Sequence, residues 1–334
     1  MPSRRGSILI CVLWSLFFLT ALALVINATI VPQLTLAAAL RDRFVLRTLA
    51  EAGMQRSLLE LRADETEGYD ALNEAWSRNE EAFKEVFLTD NGYFSVEQSL
   101  DGGEEDESGI RYGLTDEERK ININTAPAGV LAGLFEKVGD VSGQEAEGIA
   151  ESILDWRDAD DEPMDNGAEG DYYEALQNPY PCKDSRFDIL EELLLVKGVT
   201  AEAFDLVKGY LTVYGAGAVN VNTADPEVLS LLGISEALAV KIVRYRAGND
   251  GEEATEDDVA FESAPGIVPD LSAKASLSAG DIAELTDAGA AGLLGVRSDY
   301  FRGESYGRLR DRTTAFKAVF VVDRNEAVRF WREM

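Results

Sequence analysis

An uninterrupted apolar stretch near the N-terminus constrains this chain more than any other feature. No charged residue occurs between Arg5 and Arg41, and residues 8–26 are almost entirely apolar. That length matches the roughly 20 residues that a helix needs to cross a bilayer core of ~30 Å. Arg4 and Arg5 precede the stretch, which favours a cytoplasmic N-terminus by the positive-inside bias. The sequence therefore predicts a single-pass membrane helix, with the rest of the chain on the far side of the membrane.

The apolar pattern continues beyond the span at helical spacing. The positions that continue it are Leu46, Leu49, Met54, Leu58 and Leu61. Pro32 lies within the run and predicts at most a kink. We therefore expect one helix over residues 8–62, roughly 80 Å long at ~1.5 Å per residue. The alternative is a secretory signal peptide that is cleaved at Ala21-Leu22-Ala23.

Composition excludes several classes of function. The 334 residues carry a formal net charge of -30, which repels nucleic acids and anionic lipid headgroups. The chain has no histidine, so a histidine general base, a histidine triad and a histidine zinc site are all excluded. The two cysteines, Cys11 and Cys182, predict no internal disulfide. No nucleophile–base pair, phosphate loop or cofactor fingerprint is visible in the sequence, which predicts that the protein is not an enzyme.

Two segments of the chain repeat each other. "KININTAPAGVLAGLF" (120–135) and "AVNVNTADPEVLSLLG" (218–233) share Asn-x-Asn-Thr-Ala followed by apolar residues. Six positions coincide at an offset of 98 and three more at an offset of 89, namely Asn122/Asn220, Asn124/Asn222, Thr125/Thr223, Ala126/Ala224, Val130/Val228, Leu131/Leu229, Ile153/Ile242, Trp156/Tyr245 and Arg157/Arg246. An Asn or Thr beside a helix start predicts a side-chain cap. The repeats indicate two helix-hairpin-helix-like (SAM-like) units.

Units of this kind bind DNA in other proteins, so a DNA-uptake receptor is an alternative function. Phosphate-binding hairpins use a Gly-x-Gly turn, but the second unit has Ser235 in place of the second glycine. The basic residues available nearby are Lys197, Lys241, Arg244 and Arg246. Because this basic support is thin and the chain is strongly acidic, the sequence predicts packing units that do not bind nucleic acid.

Residues 155–176, "DWRDADDEPMDNGAEGDYYEAL", form a strongly acidic loop. Calcium takes 6–8 oxygen ligands and suits a flexible loop of carboxylates and carbonyls. We predict calcium as the cofactor, with ligands drawn from Asp155, Asp158, Asp160, Asp161, Asn166 and Glu169. The spacing is not that of an EF-hand, and a merely solvated loop is the alternative. The lack of histidine and the poor supply of cysteine argue against zinc.

The leader Arg4-Arg5-Gly6, joined directly to an apolar helix, resembles the precursors of type IV pilins and pseudopilins. The resemblance implies that a prepilin peptidase cuts between Gly6 and Ser7 and methylates Ser7. The fifth mature position, usually glutamate in that family, is Cys11 here. An unpaired carboxylate in a bilayer costs at least ~2.5 kcal/mol. We expect a neutral Cys11 to mark a topmost subunit, which has no neighbour above to pair with such a charge. The alternative is that Cys11 is simply an apolar residue in a membrane span.

The acidic loop carries the closest resemblance. Asp155-Trp156, Asp158, Asp160, Gly167-Ala168-Glu169, Tyr172-Tyr173 and "DILEELLLVKGVT" are similar to the type II secretion system protein K family. The resemblance implies a calcium-binding minor pseudopilin at the pseudopilus tip, which initiates assembly and supports export of folded proteins across the outer membrane. It implies as partners the I and J minor pseudopilins, the major pseudopilin, the prepilin peptidase and the inner-membrane secretion platform. The implied location is the inner membrane, with most of the chain in the periplasm.

A further alternative to the pseudopilin function is a periplasmic calcium-binding or substrate-binding protein with an uncleaved anchor.

Strand patterns predict how the chain is divided. "GYFSVEQSL" and "GIRYGLTDEERKININ" precede residue 123, and Ala315–Val322 with its partner Ala327–Trp331 follow residue 295. Between them, residues 193–211 predict a helix-turn-helix and residues 248–280 a loop-rich return path. We predict an α+β fold in which a long transmembrane helix precedes a pilin-like antiparallel sheet interrupted by a large all-α insert. The predicted divisions are 1–6 (leader), 7–62 (helix), 63–122 (first part of the sheet), 123–295 (helical insert) and 296–334 (second part of the sheet).

Overall fold

The computed structural model describes residues 5–66, 68–98 and 110–334. Helix α1 runs Arg5–Ala63, 59 residues without interruption at Pro32, and is about 90 Å long. Among the described residues, one helix is long and apolar enough to cross a membrane, and it is α1. Its first half exposes large apolar side chains such as Phe17 and Phe18. All five apolar positions predicted for its second half are buried, which confirms the helical pattern.

The strands come from both ends of the chain. In chain order they are β1 (Val86–Phe87), β2 (Gly92–Gln98), β3 (Arg111–Tyr112), β4 (Thr115–Asp116), β5 (Ile121–Asn122), β6 (Leu211–Thr212), β7 (Val219–Asn220), β8 (Leu294–Gly295), β9 (Tyr300–Leu309), β10 (Ala315–Asp323) and β11 (Val328–Glu333). The main sheet has the order β1-β2-β9-β10-β11, with β3 on β2 and β4 on β9. All its pairings are antiparallel. The central strand β9 thus joins strands that precede and follow the helical part of the chain.

Helix α1 packs closely against the centre of this sheet. A Cβ atom at Gly307 of β9 would lie 1.9 Å from the carbonyl oxygen of Leu46, and one at Gly53 would lie 2.1 Å from Ser305 Oγ. Because the obstacle at Gly307 is backbone, a side chain there would force the helix away from the sheet, whereas one at Gly53 would require the Ser305 side chain to move. Around this contact, α1 and the sheet bury a shared apolar core that includes Met54, Leu58, Phe94 and Phe320.

The helical part has its own core. Besides α1, the helices are α2 (Glu80–Phe83), α3 (Ala128–Lys137), α4 (Gly143–Arg157), α5 (Gly170–Glu174), α6 (Ala201–Val207), α7 (Pro226–Leu231), α8 (Glu236–Arg246), α9 (Ile267–Lys274) and α10 (Ala279–Ala290). A single buried cluster from Ile121 to Val296 joins α3 to α10. Two short parallel ladders, β5 with β6 and β7 with β8, close the two repeated units. The predicted α+β class, with an antiparallel sheet and a long N-terminal helix, is confirmed.

Several local predictions are tested by the structure. The C-terminal strand Ala315–Val322 is confirmed, and its antiparallel partner is Val328–Glu333. The prediction for residues 193–211 is half wrong, because its first element is the 3₁₀ helix Leu190–Leu195. The loop-rich prediction for residues 248–280 missed α9, whose Ile267 and Leu271 are buried in the helical core.

Candidate functional site

The acidic segment 155–176 begins in the last turn of α4, and Asp155 lies in that turn. This residue is buried, and its carboxylate accepts hydrogen bonds from the backbone N–H of Met164 at 3.2 and 3.3 Å. Gly167 packs against it so closely that a Cβ there would lie 1.9 Å from Asp155 Oδ2. Asp155 therefore holds the loop backbone from within. Its predicted role as a metal ligand is not supported, because within the described residues it joins no group of potential ligands.

Three of the six predicted ligands come together. One carboxylate oxygen each from Asp158, Asp160 and Glu169 lies within 4.8 Å of the others. Asp158 is the C-cap residue of α4 and Glu169 the N-cap residue of α5, so the two helix ends bring the group together. Oxygens around a calcium ion at 2.3–2.6 Å lie at most about 5 Å apart. The spacing of this group thus suits a cation of that size.

Glu169 is the most unusual member of the group. Its side chain is 4% exposed, and neither carboxylate oxygen accepts a hydrogen bond from the residues that the structure describes. Burial raises its pKa to about 7, and the negative charges of Asp155 and Asp158 reinforce this effect. A buried carboxylate without a partner is costly unless it is protonated or neutralised by a cation.

Aromatic packing holds α5, the helix that Glu169 precedes, in place. Trp156 of α4 meets Tyr173 of α5 edge to face, with ring centroids 5.1 Å apart. Tyr173 also lies against Tyr180, at 5.4 Å. Burial raises the pKa of Tyr173, whose hydroxyl accepts a 3.3 Å hydrogen bond from the backbone N–H of Lys197. These contacts set the position of α5 and therefore of the carboxylate at its N-terminus.

The two remaining predicted ligands lie elsewhere. Asp161 is exposed on the loop, outside the groups of potential ligands among the described residues. The backbone N–H of Asn166 donates to Glu151 at 2.5 Å, and its carbonyl accepts from Lys197 Nζ at 3.0 Å. Asn166 thus fastens the loop to α4 and to the following segment. Asp161 is therefore not brought to the group around Glu169.

Sequence reasoning missed Cys182 and Asp184. With Glu169 they form a second group, whose potential ligand atoms lie within 4.8 Å of one another. Burial raises the pKa of the Cys182 thiol to about 12, helped by its hydrogen bond to the Asp184 carboxylate. These residues come from a later loop that folds back over α5, and no spacing pattern in the sequence announces that return. Glu169 is shared by both groups and is the centre of the site.

The repeated Asn-Thr-Ala units make the same hydrogen bonds in both copies. Asn124 donates to the carbonyl of Phe187 at 3.0 Å and accepts from its N–H at 2.7 Å. Asn222 makes the same pair with Phe261, at 3.0 and 2.8 Å. Each asparagine side chain therefore satisfies the backbone N–H and carbonyl of a phenylalanine, as a neighbouring strand would. It thereby fastens a distant loop to its unit.

The predicted capping role of these residues is wrong. The N-cap positions of α3 and α7 are Pro127 and Asp225, and neither cap uses a side-chain hydrogen bond. The first asparagine of each unit accepts a hydrogen bond from the N–H two residues on, at 2.8 Å for Asn122 and 3.0 Å for Asn220. These side chains stabilise the turn that precedes the helix. They come before the N-cap position in the chain, so they do not cap the helix.

Basic residues near these units are used internally. Arg157 donates to the carbonyls of Ile123 and Ala126, and its counterpart Arg246 donates to the carbonyl of Val221 at 2.8 Å. Lys241 pairs with Asp281 at 2.6 Å. Since these cations satisfy carbonyls and carboxylates of the chain itself, the arrangement offers poor support for phosphate binding.

The predicted processing site lies at the limit of the description. Residues 1–4 are outside the described residues, and so is the side chain of Ser7, although Gly6 and Ser7 both belong to α1. Cys11 is exposed on α1, and its carbonyl accepts a 2.9 Å hydrogen bond from Ser15 Oγ. The side chain at this position is therefore free to face lipid or a neighbouring helix.

Three features define the class of this fold. A long apolar helix packs on an antiparallel sheet, and a helical domain is inserted between the strands of that sheet. One chain of "The Crystal Structure of the GspK-GspI-GspJ complex from enterotoxigenic Escherichia coli Type 2 Secretion System" has this fold, with a TM-score of 0.61. The alignment covers 91% of this chain and 98% of that chain at 19% identity. At that identity the likeness establishes the fold.

The sequence comparisons identify the family that the chain resembles. Residues 111–216 match the family model of the first domain of "Type II secretion system (T2SS), protein K". The match includes the acidic loop and the segment "DILEELLLVKGVT", which suggested the family, and also the first Asn-Thr-Ala unit. The resemblance to type II secretion system protein K is confirmed.

Curated relatives share part of their length with this chain. The type II secretion system protein K of Pseudomonas aeruginosa is 30% identical over 211 residues, which are 63% of this chain and 60% of the relative. The protein K of Pectobacterium carotovorum subsp. carotovorum is 32% identical over 126 residues, 36% of this chain and 38% of the relative. The matched regions thus span between about two fifths and three fifths of these relatives.

Proposed function

We propose that this chain is a minor pseudopilin of the type II secretion system. The observation that carries the proposal is the match of residues 111–216 to protein K, in a chain whose helical domain interrupts the sheet packed on α1. In this role the protein sits at the pseudopilus tip, initiates assembly and supports export of folded proteins across the outer membrane. The role is structural: the chain is processed by an enzyme and is not one itself.

The anchor of this pseudopilin is the first half of α1. Its exposed apolar side chains favour lipid, and Arg4 and Arg5 favour a cytoplasmic N-terminus. The chain crosses the inner membrane once, with the sheet and the helical domain in the periplasm. A prepilin peptidase cuts between Gly6 and Ser7 and methylates Ser7. Gly6 suits this step because its lack of a side chain allows close approach to the backbone.

The tip position rests on Cys11. A subunit inside the filament has a neighbour above it that can pair with a buried carboxylate, and a topmost subunit has none. A neutral Cys11 avoids that unpaired charge. The I and J minor pseudopilins are the partners below the tip, as the structure of similar fold was solved as a GspK-GspI-GspJ complex. The major pseudopilin and the inner-membrane platform complete the assembly.

Calcium is the proposed cofactor of the helical domain. Asp158, Asp160 and Glu169 supply oxygens at a suitable spacing, and Asp184 lies close enough to Glu169 to contribute another. The orphaned carboxylate of Glu169 is the observation that favours a cation over a merely solvated loop. A bound calcium ion neutralises these carboxylates. It also ties the end of α4 to the start of α5.

Co-purification tests the proposed role. The full-length chain is produced with I and J minor pseudopilins and the prepilin peptidase, extracted in detergent and captured through a C-terminal tag. The expected result is a complex with one copy of this chain for each I and J subunit. Capture of the chain alone, or isolation of filaments that contain many copies of it, contradicts the proposal. Salt-sensitive DNA binding by the captured chain favours the DNA-uptake alternative.

A further inference from the structure

Glu169 belongs to two groups of potential ligands, one with Asp158 and Asp160 and the other with Cys182 and Asp184. The first group offers only oxygen, whereas the second adds a sulfur atom. The Cys182 side chain is 7% exposed, and its sulfur lies within 4.8 Å of carboxylate oxygens of Glu169 and Asp184. The same orphaned Glu169 carboxylate faces both groups. The two groups therefore differ in the chemistry that they present to a cation.

We propose that Glu169, Cys182 and Asp184 form a second metal pocket that binds a thiophilic divalent cation of the zinc class. Calcium prefers hard oxygen ligands, so the sulfur contributes nothing to a calcium site. Thiolate together with carboxylate suits zinc and its close analogues. The inference rests on the proposed calcium site, because Glu169 belongs to both pockets and Asp184 is also offered as a further calcium ligand. Cys182 is the ligand that belongs to the second pocket alone.

Binding at Cys182 exchanges a proton for the metal. The S–H bond breaks, a sulfur–metal bond forms, the proton leaves to solvent, and nothing is oxidised or reduced. The Asp184 carboxylate, which has an oxygen within 4.8 Å of the Cys182 sulfur, offers a first acceptor for the proton. Without such a cation the thiol stays neutral and buried. Calcium binding by Glu169 with Asp158 and Asp160 then proceeds without the sulfur.

Cobalt is the probe that reports the sulfur directly, because Co²⁺ replaces zinc and its bond to a thiolate gives a near-ultraviolet charge-transfer band. The full-length chain in detergent, freed of metals by chelator, is titrated with Co²⁺. The band is expected in the wild type and in C11S, which removes the other cysteine, and is expected to be absent from C182S. Added zinc should abolish the band. No band in the wild type and C11S, or an undiminished band in C182S, overturns the proposal.

A calcium titration separates this inference from the proposed calcium site. C182S should keep the calcium-induced rise in melting temperature, which also reports that the variant is folded, while Glu169→Gln should lose both responses. Asp184→Asn, at an exposed position, is a second variant and should weaken Co²⁺ binding at least about tenfold. A cobalt band without a calcium response contradicts the calcium site alone. A calcium response without the band contradicts the second pocket alone.

Discussion

The side-chain amide of Asn220 donates a 3.1 Å hydrogen bond to the carboxylate of Asp116. Asn220 belongs to the second Asn-Thr-Ala unit, and Asp116 lies in β4, which pairs with β9 of the main sheet. Thr223 of the same unit also donates to Asp116, at 2.6 Å, and all three residues are buried. The second unit thus fastens the helical domain to the sheet. This role does not require DNA binding, although the unit resembles DNA-binding hairpins.

Asn220→Ala should strongly destabilise the protein. The amide nitrogen also lies 3.1 Å from the Asp70 carbonyl and 2.9 Å from Ser298 Oγ, so its loss leaves buried acceptors unsatisfied. We expect the free energy of unfolding in urea to fall by about 3 kcal/mol. The matched control is Asn91→Ala, which removes an exposed 2.8 Å hydrogen bond to Asp311 and should change stability by less than about 0.5 kcal/mol. Similar losses in the two variants would contradict the role of Asn220.

Gly307→Ala should weaken the packing of α1 on the sheet. The added Cβ would lie 1.9 Å from the Leu46 carbonyl oxygen, so the helix must move away. We expect a loss of stability of about 2 kcal/mol or more, measured by thermal or urea unfolding. Gly129→Ala is the control, because a Cβ there meets nothing within 4 Å and lies in helix α3. That variant should be neutral or more stable by up to about 1 kcal/mol.

Stability should fall as pH rises, because buried carboxyls at the junction hold protons. Burial and the nearby Asp116 raise the pKa of Glu118 to about 8, and burial raises that of Asp70 to about 7 despite Arg324. The folded state therefore binds protons that the unfolded state has already lost. For each such group the stability is complete below the unfolded pKa of about 4, and is lost as pH rises towards the folded pKa.

Glu118→Gln tests this pH dependence. The amide oxygen can still accept from the N–H groups of Asp299 and Tyr300, but the side chain no longer titrates. We expect the decline in unfolding free energy between about pH 5 and pH 8 to become shallower, by up to about 1.4 kcal/mol per pH unit. Glu202→Gln, at an exposed position in α6, should leave the slope unchanged. An identical slope in Glu118→Gln and the wild type would contradict the assignment.

Asp160→Asn and Asp161→Asn form a matched pair for the calcium proposal. The two residues are adjacent and exposed, but only Asp160 lies in the group with Asp158 and Glu169. In the wild type, calcium at 100 times its dissociation constant should stabilise the fold by about 2.7 kcal/mol. Asp160→Asn should lose most of this gain and Asp161→Asn little of it, as judged by melting temperature with calcium and with chelator. Equal responses in both variants, or no response in the wild type, would mean that the loop is only solvated.

The local spacing of apolar residues was enough to predict the helices and strands that bury one face with a regular period. The buried side of α1 from Leu46 to Leu61 follows helical spacing, and Ala315–Val322 has the composition and bounds of a strand. The sequence also showed that Asn124 is equivalent to Asn222, and Arg157 to Arg246, because duplicated units keep their spacing. What these residues bond to could not be predicted, since Phe187 and Phe261 lie on distant loops.

The candidate site shows the same limit. An excess of carboxylates marked residues 155–176, but it could not distinguish Asp155, which holds the loop backbone, from Asp158, which joins Glu169. Cys182 was absent from the prediction because only the folded loop brings its sulfur to Glu169. Burial sorts these carboxylates into different roles, and burial depends on contacts made far along the chain.

The mature N-terminus is the most direct test of the central claim that this chain is a processed pseudopilin. The full-length protein is isolated from membranes of cells with and without the prepilin peptidase, and its N-terminal peptide is measured by mass spectrometry. The account predicts a methylated N-terminus at Ser7 when the peptidase is present, and the uncut leader when the peptidase is absent or Gly6 is replaced by valine. An intact Met1 in the presence of the peptidase, or a start beyond Ala23, would contradict it.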